Sequence, residues 1–335
     1  MRTIFVKAIR RTFFLIAFVL FISSCSISKQ APKTRIIFDT DANNELDDQH
    51  AMAYLLFNQS VFEVEGVTVN ATHSGGDINM QYAEAERIMK LTKQHGKIPL
   101  YKGADKSFSA IKDQVANQTF DGSDAVNFII TSAKKDDERP LILLAVGKLT
   151  NVALALEKDP SIASRVRIVW LGSNYPDPGE YNQDNDTIAM NFILNKNVPF
   201  EMVTVRYGKS SGTAAVTATK AEIEQKMPGL GPKVDTPVTG RHDGDFSNFG
   251  DYSVSLFQHI DYHDTTMSRA LFDMVAVAIL KEPKWGQAKK IPSPILINNV
   301  WVERPANGRT ITVWENFRKE DIMRDFYESM RRGID

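Results

Sequence analysis

Four aspartates fall within residues 39–48, as Asp39, Asp41, Asp47 and Asp48, with Glu45 among them. They follow a short apolar run, residues 35–38, that has the character of a buried strand. They precede residues 51–57, an apolar run compatible with a helix. Carboxylates packed between a core strand and a core helix repel one another. A fold tolerates that when a cation sits among them or when they take up protons. Oxygen donors without a nearby cysteine or clustered histidine select a hard cation, calcium before magnesium. The plainer alternative is a solvated acidic loop in which Asp47 and Asp48 favour a helix N-terminus.

A second acid stands apart. Asp273 is the only charged residue between Arg269 and Lys281, and it opens an otherwise apolar helical run. It is either a helix cap or a buried functional group. If it is buried and unpaired, a cationic partner accounts for it.

The elements that must hold these acids alternate along the chain. Strands are expected at residues 35–38, 64–69, 141–146, 166–171 and 202–205, and helices at 50–57, 80–95, 124–134, 151–158, 187–195, 220–226 and 272–281. Alternation of this kind predicts a single α/β domain, Rossmann-like, with a mostly parallel sheet flanked by helices. Residues 227–250 read as a long loop or insertion. Residues 309–314 read as an edge strand and 319–330 as a closing helix. Ligands of such sheets sit beyond the carboxyl ends of the strands. The segments there are polar: His73 lies in the first, Lys148 and Asn151 in the next, and Glu180, Asn182 and Asn191 in the last. Short amides, hydroxyls and carboxylates hydrogen-bond hydroxylated ligands such as sugars. The same residue types also make turns.

Composition bounds the rest. Of 335 residues, 43% are hydrophobic and 24% charged, as in a globular protein. The net charge of −1 offers no basic face for a nucleic-acid polymer. Arg2, Lys7, Arg10 and Arg11 precede an apolar run, residues 13–22, of signal-peptide length. Ile-Ser-Ser-Cys at residues 22–25 resembles the bacterial lipobox, and Cys25 is the only cysteine. The expected organisation is a leader (1–24), a polar tether from the lipidated Cys25 to residue 33, and one domain (34–335). The chain is then an exported lipoprotein held at a membrane outside the cytoplasm. Ser26 lacks the acidic inner-membrane retention signal, which favours the outer membrane.

The motifs together resemble the inosine-uridine preferring nucleoside hydrolase family. Asp39-Thr40-Asp41 followed by Asp47-Asp48 is similar to its Asp-x-Asp-x-x-x-Asp-Asp fingerprint. Residues 98–105 resemble the stretch after its second helix, and residues 147–151 its Gly-x-Leu-Thr-Asn turn. Asn191 falls where the family has Glu-Phe-Asn, and residues 272–278 resemble its late His-Asp-x-x-Ala stretch. The resemblance implies calcium-dependent hydrolysis of a ribosyl N-glycosidic bond, as in purine or pyrimidine salvage, and dimers or tetramers. It implies Asp41, Asp48, Asp273 and the main-chain carbonyl of Val146 as calcium ligands. Asp41 is then also the general base on the metal-bound water. Asp47 and Asn191 hold ribose hydroxyls, with His73, Asn182 and His242 as further substrate contacts and Asp39 as support. Two departures stand out. The acidic loop is two residues longer and carries Glu45. Phe272 replaces the histidine that serves many members as leaving-group acid, for which His73, His242, His259, His263 and Tyr252 are the substitutes. A riboside-binding protein that has lost hydrolysis is the alternative.

Overall fold

The computed structural model describes residues 32–332; the leader and Cys25 lie outside the described residues. Eight strands form one sheet: β1 (Thr34–Thr40), β2 (Phe62–Val69), β3 (Leu100–Lys102), β4 (Leu141–Ala145), β5 (Val166–Leu171), β6 (Phe200–Val203), β7 (Gln287–Pro292) and β8 (Thr310–Glu315). Their order across the sheet is β7-β8-β6-β5-β4-β1-β2-β3. All neighbours are parallel except β7, which runs antiparallel to β8.

The central strands are mostly apolar because helices cover both faces. Every residue of β4, Leu-Ile-Leu-Leu-Ala, is buried. Alternation along β1 sends Ile36 and Phe38 into one core and Ile37 into the other. At the start of β1, Arg35 is buried and donates to Glu65 Oε1 at 2.5 Å and to the carbonyls of Arg139 and Ser132 at 3.0 Å each.

The alternating pattern holds, with local corrections. Residues 309–314 are not an edge: β8 lies between β6 and β7, and the polar Gln-Ala-Lys-Lys-Ile-Pro of β7 takes the edge. Lysines there discourage pairing with another chain. Strand β6 starts and ends two residues earlier than its apolar pattern predicts. The helix Ile78–Leu91 starts at the cap Asp77, whose carboxylate accepts from the Asn79 and Met80 amides. It stops short of His95 because Lys93 adopts a left-handed φ of 56°. Residues 227–250 hold a short hairpin, Val238–Thr239 with Asp245–Phe246, and run into the helix Phe249–Gln258. Among the described residues, no helix is long and apolar enough to cross a membrane.

Candidate active site

The strand order reverses between β1 and β4, which opens a crevice at the carboxyl ends of the strands. A cavity of about 430 Å³ lies there, lined by Asp41, Asp47, Asp48, Val146 and Asp273, among others. Asp41 follows β1 directly. Asp47 and Asp48 open the helix Asp47–Leu56, and Asp273 lies in the first turn of the helix Phe272–Lys281. Those two helices pack on each other, which brings acids more than 220 residues apart to one place. Asp47, Asp48 and Asp273 each offer an oxygen within 4.8 Å of the others.

All of these acids are buried. Burial pushes Asp41 up to about 6 and, with the charge of Glu45, Asp47 up to about 8. Burial and the neighbouring aspartates raise Asp48 and Asp273 well above the usual carboxylate range. Thr40 donates to Asp48 Oδ1, and Thr72 Oγ1 donates to Asp41 Oδ2 at 2.6 Å. Asp273 Oδ2 is buried with no hydrogen-bond partner, as is Asn182 Oδ1. Clustered oxygen donors, some without a partner, in a site that resists ionisation fit a hard divalent cation.

Asp39 sits one layer below. Its carboxylate accepts from Thr68 Oγ1 at 2.6 Å, Asn151 Nδ2 at 2.7 Å and Asn70 Nδ2 at 3.1 Å, and burial raises it to about 7. Asn151 also accepts from the Ala104 amide, so one side chain ties β1 to the loop after β3. Gly147 lies against the acids: a Cβ there would stand 2.7 Å from Asp41 Oδ1 and 3.0 Å from both polar atoms of the Asn70 amide.

The family model described as inosine-uridine preferring nucleoside hydrolase matches residues 36–329. The chain belongs to this family. It is 26% identical over 202 residues to a probable uridine nucleosidase 1 of Oryza sativa subsp. japonica, across 53% of this chain and 60% of that one. It is 24% identical over 212 residues to the protein C1683.06c of Schizosaccharomyces pombe, across 56% and 66%. The chain thus matches just under two thirds, or less, of the length of these curated relatives. The plant nucleoside hydrolase PpNRh1 shares the fold at a TM-score of 0.68 and 18% identity, over 90% of this chain and 99% of that one.

Within the family frame, several expected residues move. Asn191 does not reach the cavity. Its amide donates to the Leu296 carbonyl at 2.7 Å and accepts from the Leu296 amide at 3.0 Å, which fastens the helix Thr187–Leu194 to the strand Ile295–Ile297. Glu180, Tyr181 and Asn182 line the cavity instead. Glu180 accepts from the Ser173 and Gln183 amides, and burial raises it to about 7. Asn182 donates to the Val146 carbonyl at 2.7 Å. Val146 lines the cavity, and its carbonyl is engaged by Asn182.

His73 is exposed beside the cavity, where its ring and amide meet Asn185 and it packs edge-on to Tyr181. His242 lies outside it, stacked on His259 at 4.9 Å. Tyr252 is buried with its hydroxyl on Glu84. Of the five substitutes for a leaving-group acid, His263 alone lines the cavity. The enlarged acidic loop places Glu45 at the mouth, ion-paired with Arg269, which also donates to the Asp261 carbonyl at 2.7 Å. Tyr207 packs edge-on to Phe272 at 6.1 Å. Glu45, Tyr207 and Arg269 lie in loops or at strand ends, where no periodic pattern marks them.

Proposed function

We propose that this protein is a calcium-dependent N-ribohydrolase that cleaves the bond between a ribose and its aglycone with water. The observation that carries this reading is the buried acidic cluster. Asp41, Asp47, Asp48 and Asp273 line one cavity beside Glu180 and Asn182, with Asp273 Oδ2 and Asn182 Oδ1 unpartnered.

Asp48 and Asp273, with Asp41 and the Val146 carbonyl, would hold the calcium; Asp47 lies close enough to share it. The ion supplies positive charge that offsets the cluster and lowers the pKa of a nearby water. Asp41 takes the proton of the attacking water. Thr72 fixes one of its oxygens, and the absence of a side chain at Gly147 leaves room by the other. Asp47 and Asn182 bind ribose hydroxyls, and Glu180 holds the far end of the sugar. The fixed carboxylates stabilise the positive charge that develops on the ribose as the bond breaks. Tyr207 and Phe272 flank the aglycone.

The test uses the full-length chain in detergent, with inosine, uridine and p-nitrophenyl riboside as substrates. Ribose release should vanish with a chelator, return with calcium, and be lost in Asp41→Asn. Riboside binding without turnover would instead identify a binding protein. Export and anchoring through Cys25 belong to the same proposal. Labelled palmitate should enter the wild-type chain and not Cys25→Ala, and the variant should leave the membrane fraction.

A further inference from the structure

Six carboxylates line the cavity, namely Asp41, Glu45, Asp47, Asp48, Glu180 and Asp273, against one guanidinium, Arg269. That guanidinium is paired with Glu45 and the Asp261 carbonyl. Carboxyl groups thus outnumber cationic side chains six to one among the lining residues, a potential that favours positive charge in the cavity. Beside Asp273 the wall is aromatic: Phe272 with Tyr207 edge-on to it, while Tyr181 also lines the cavity. That wall carries no histidine, and His263 is at the exposed mouth. An anionic cavity with an aromatic wall favours a cation over a neutral ring of the same shape.

We propose that the preferred substrates are ribosides whose aglycone is itself cationic, a ribosylated pyridinium or an N7-alkylated purine, seated against Phe272 and Tyr207. The inference rests on the ribohydrolase reading above. In the reaction, the oxygen of water forms a bond to C1′ and the C1′–N bond breaks. The electron pair of that bond passes to the ring nitrogen and cancels its charge, so the aglycone leaves neutral. The proton of the water goes to Asp41 and then to solvent. A neutral nucleoside would leave as an anion and require a donated proton, which this wall is poorly equipped to give. Positive charge moves from the aromatic end to the ribose, toward the buried carboxylates.

Two measurements test this on the full-length chain with calcium present. The first is binding of 1-methylnicotinamide against neutral nicotinamide by calorimetry. The cation should bind about tenfold tighter, with the preference reduced to near parity in Phe272→Leu and weakened in Tyr207→Leu. The second compares turnover of nicotinamide riboside and 7-methylguanosine with that of guanosine, inosine and uridine. Each rate is divided by that substrate's spontaneous hydrolysis, and p-nitrophenyl riboside serves as a control for the hydrolytic site. The cationic substrates should lead by about a hundredfold, the scale of a missing general acid. Equal binding of the two nicotinamides would overturn the proposal. So would comparable turnover of neutral nucleosides that is lost in His263→Gln. If p-nitrophenyl riboside and every nucleoside resist hydrolysis, the ribohydrolase reading fails, while the binding preference still tests the aromatic wall.

Discussion

The floor and the mouth of the cavity are built by different means. The floor is made of side chains at the ends of regular elements: Asp41 after β1, Asp47 and Asp48 opening one helix, Asp273 opening another. All four are buried, and Thr72 and Thr40 fix Asp41 and Asp48. The mouth is made of loops, where Glu45, His263 and Arg269 meet across the gap and Tyr207 is 46% exposed. Chemistry that every riboside requires belongs on the rigid part, and discrimination between aglycones belongs on the part that can be remodelled.

Substitutions should separate the two regions by size of effect. At the floor, Asp273→Ala should lower kcat/KM by about a thousandfold or more, with calcium binding lost in calorimetry. Retained activity would break the distinction outright. Gly147→Ala should follow. Its methyl would press on Asp41 and Asn70, and a loss of about ten- to a hundredfold in kcat, with little change in melting temperature, is expected.

The pH dependence of the floor has a defined sign. Asp39, Asp41, Asp47 and Glu180 are raised to about 7, 6, 8 and 7 in the folded chain. The folded state therefore holds more protons than the unfolded one over this range. In a chelator, the stability these four groups contribute should be full below about pH 4 and be lost as pH rises to about 8. Calcium should oppose the fall, and its affinity should rise over the same window as protons leave the carboxylates. Melting curves across pH, with and without calcium, check both statements; a chelated protein that gains stability with pH would refute the repulsion account.

Effects at the mouth should be smaller. Glu45→Gln releases Arg269 and should change KM by about two- to fivefold while leaving kcat nearly constant. Asn191→Ala should leave kinetics almost untouched and cost about 1–3 kcal/mol of stability, because two backbone groups of Leu296 lose their partner.

The same division governs what could be read from the sequence. The aspartates announced themselves because charge interrupts strongly apolar elements, and the pattern around β1, β4 and β5 left few alternatives. Asn191 was misplaced because it lies in a helix whose polar face touches protein rather than cavity. Glu180-Tyr181-Asn182, which lines the cavity, has the same acid-aromatic-amide order as the family's Glu-Phe-Asn. Strand β3 is three residues long, too short for a period, and β7 is polar because it forms the edge. Arg269 and Glu45 form a pair 224 residues apart, and neither carries a local signal of its partner.

Strand β1 joins the two ends of the molecule. Its first residues are clamped through Arg35, and its last lead into Asp41. It pairs in parallel with β2 on one side and β4 on the other. Tension applied at Lys33 along the strand would load these rungs in shear, all together, rather than peel them one by one. The acidic floor therefore hangs from a strand whose pairing resists a pull along its own axis.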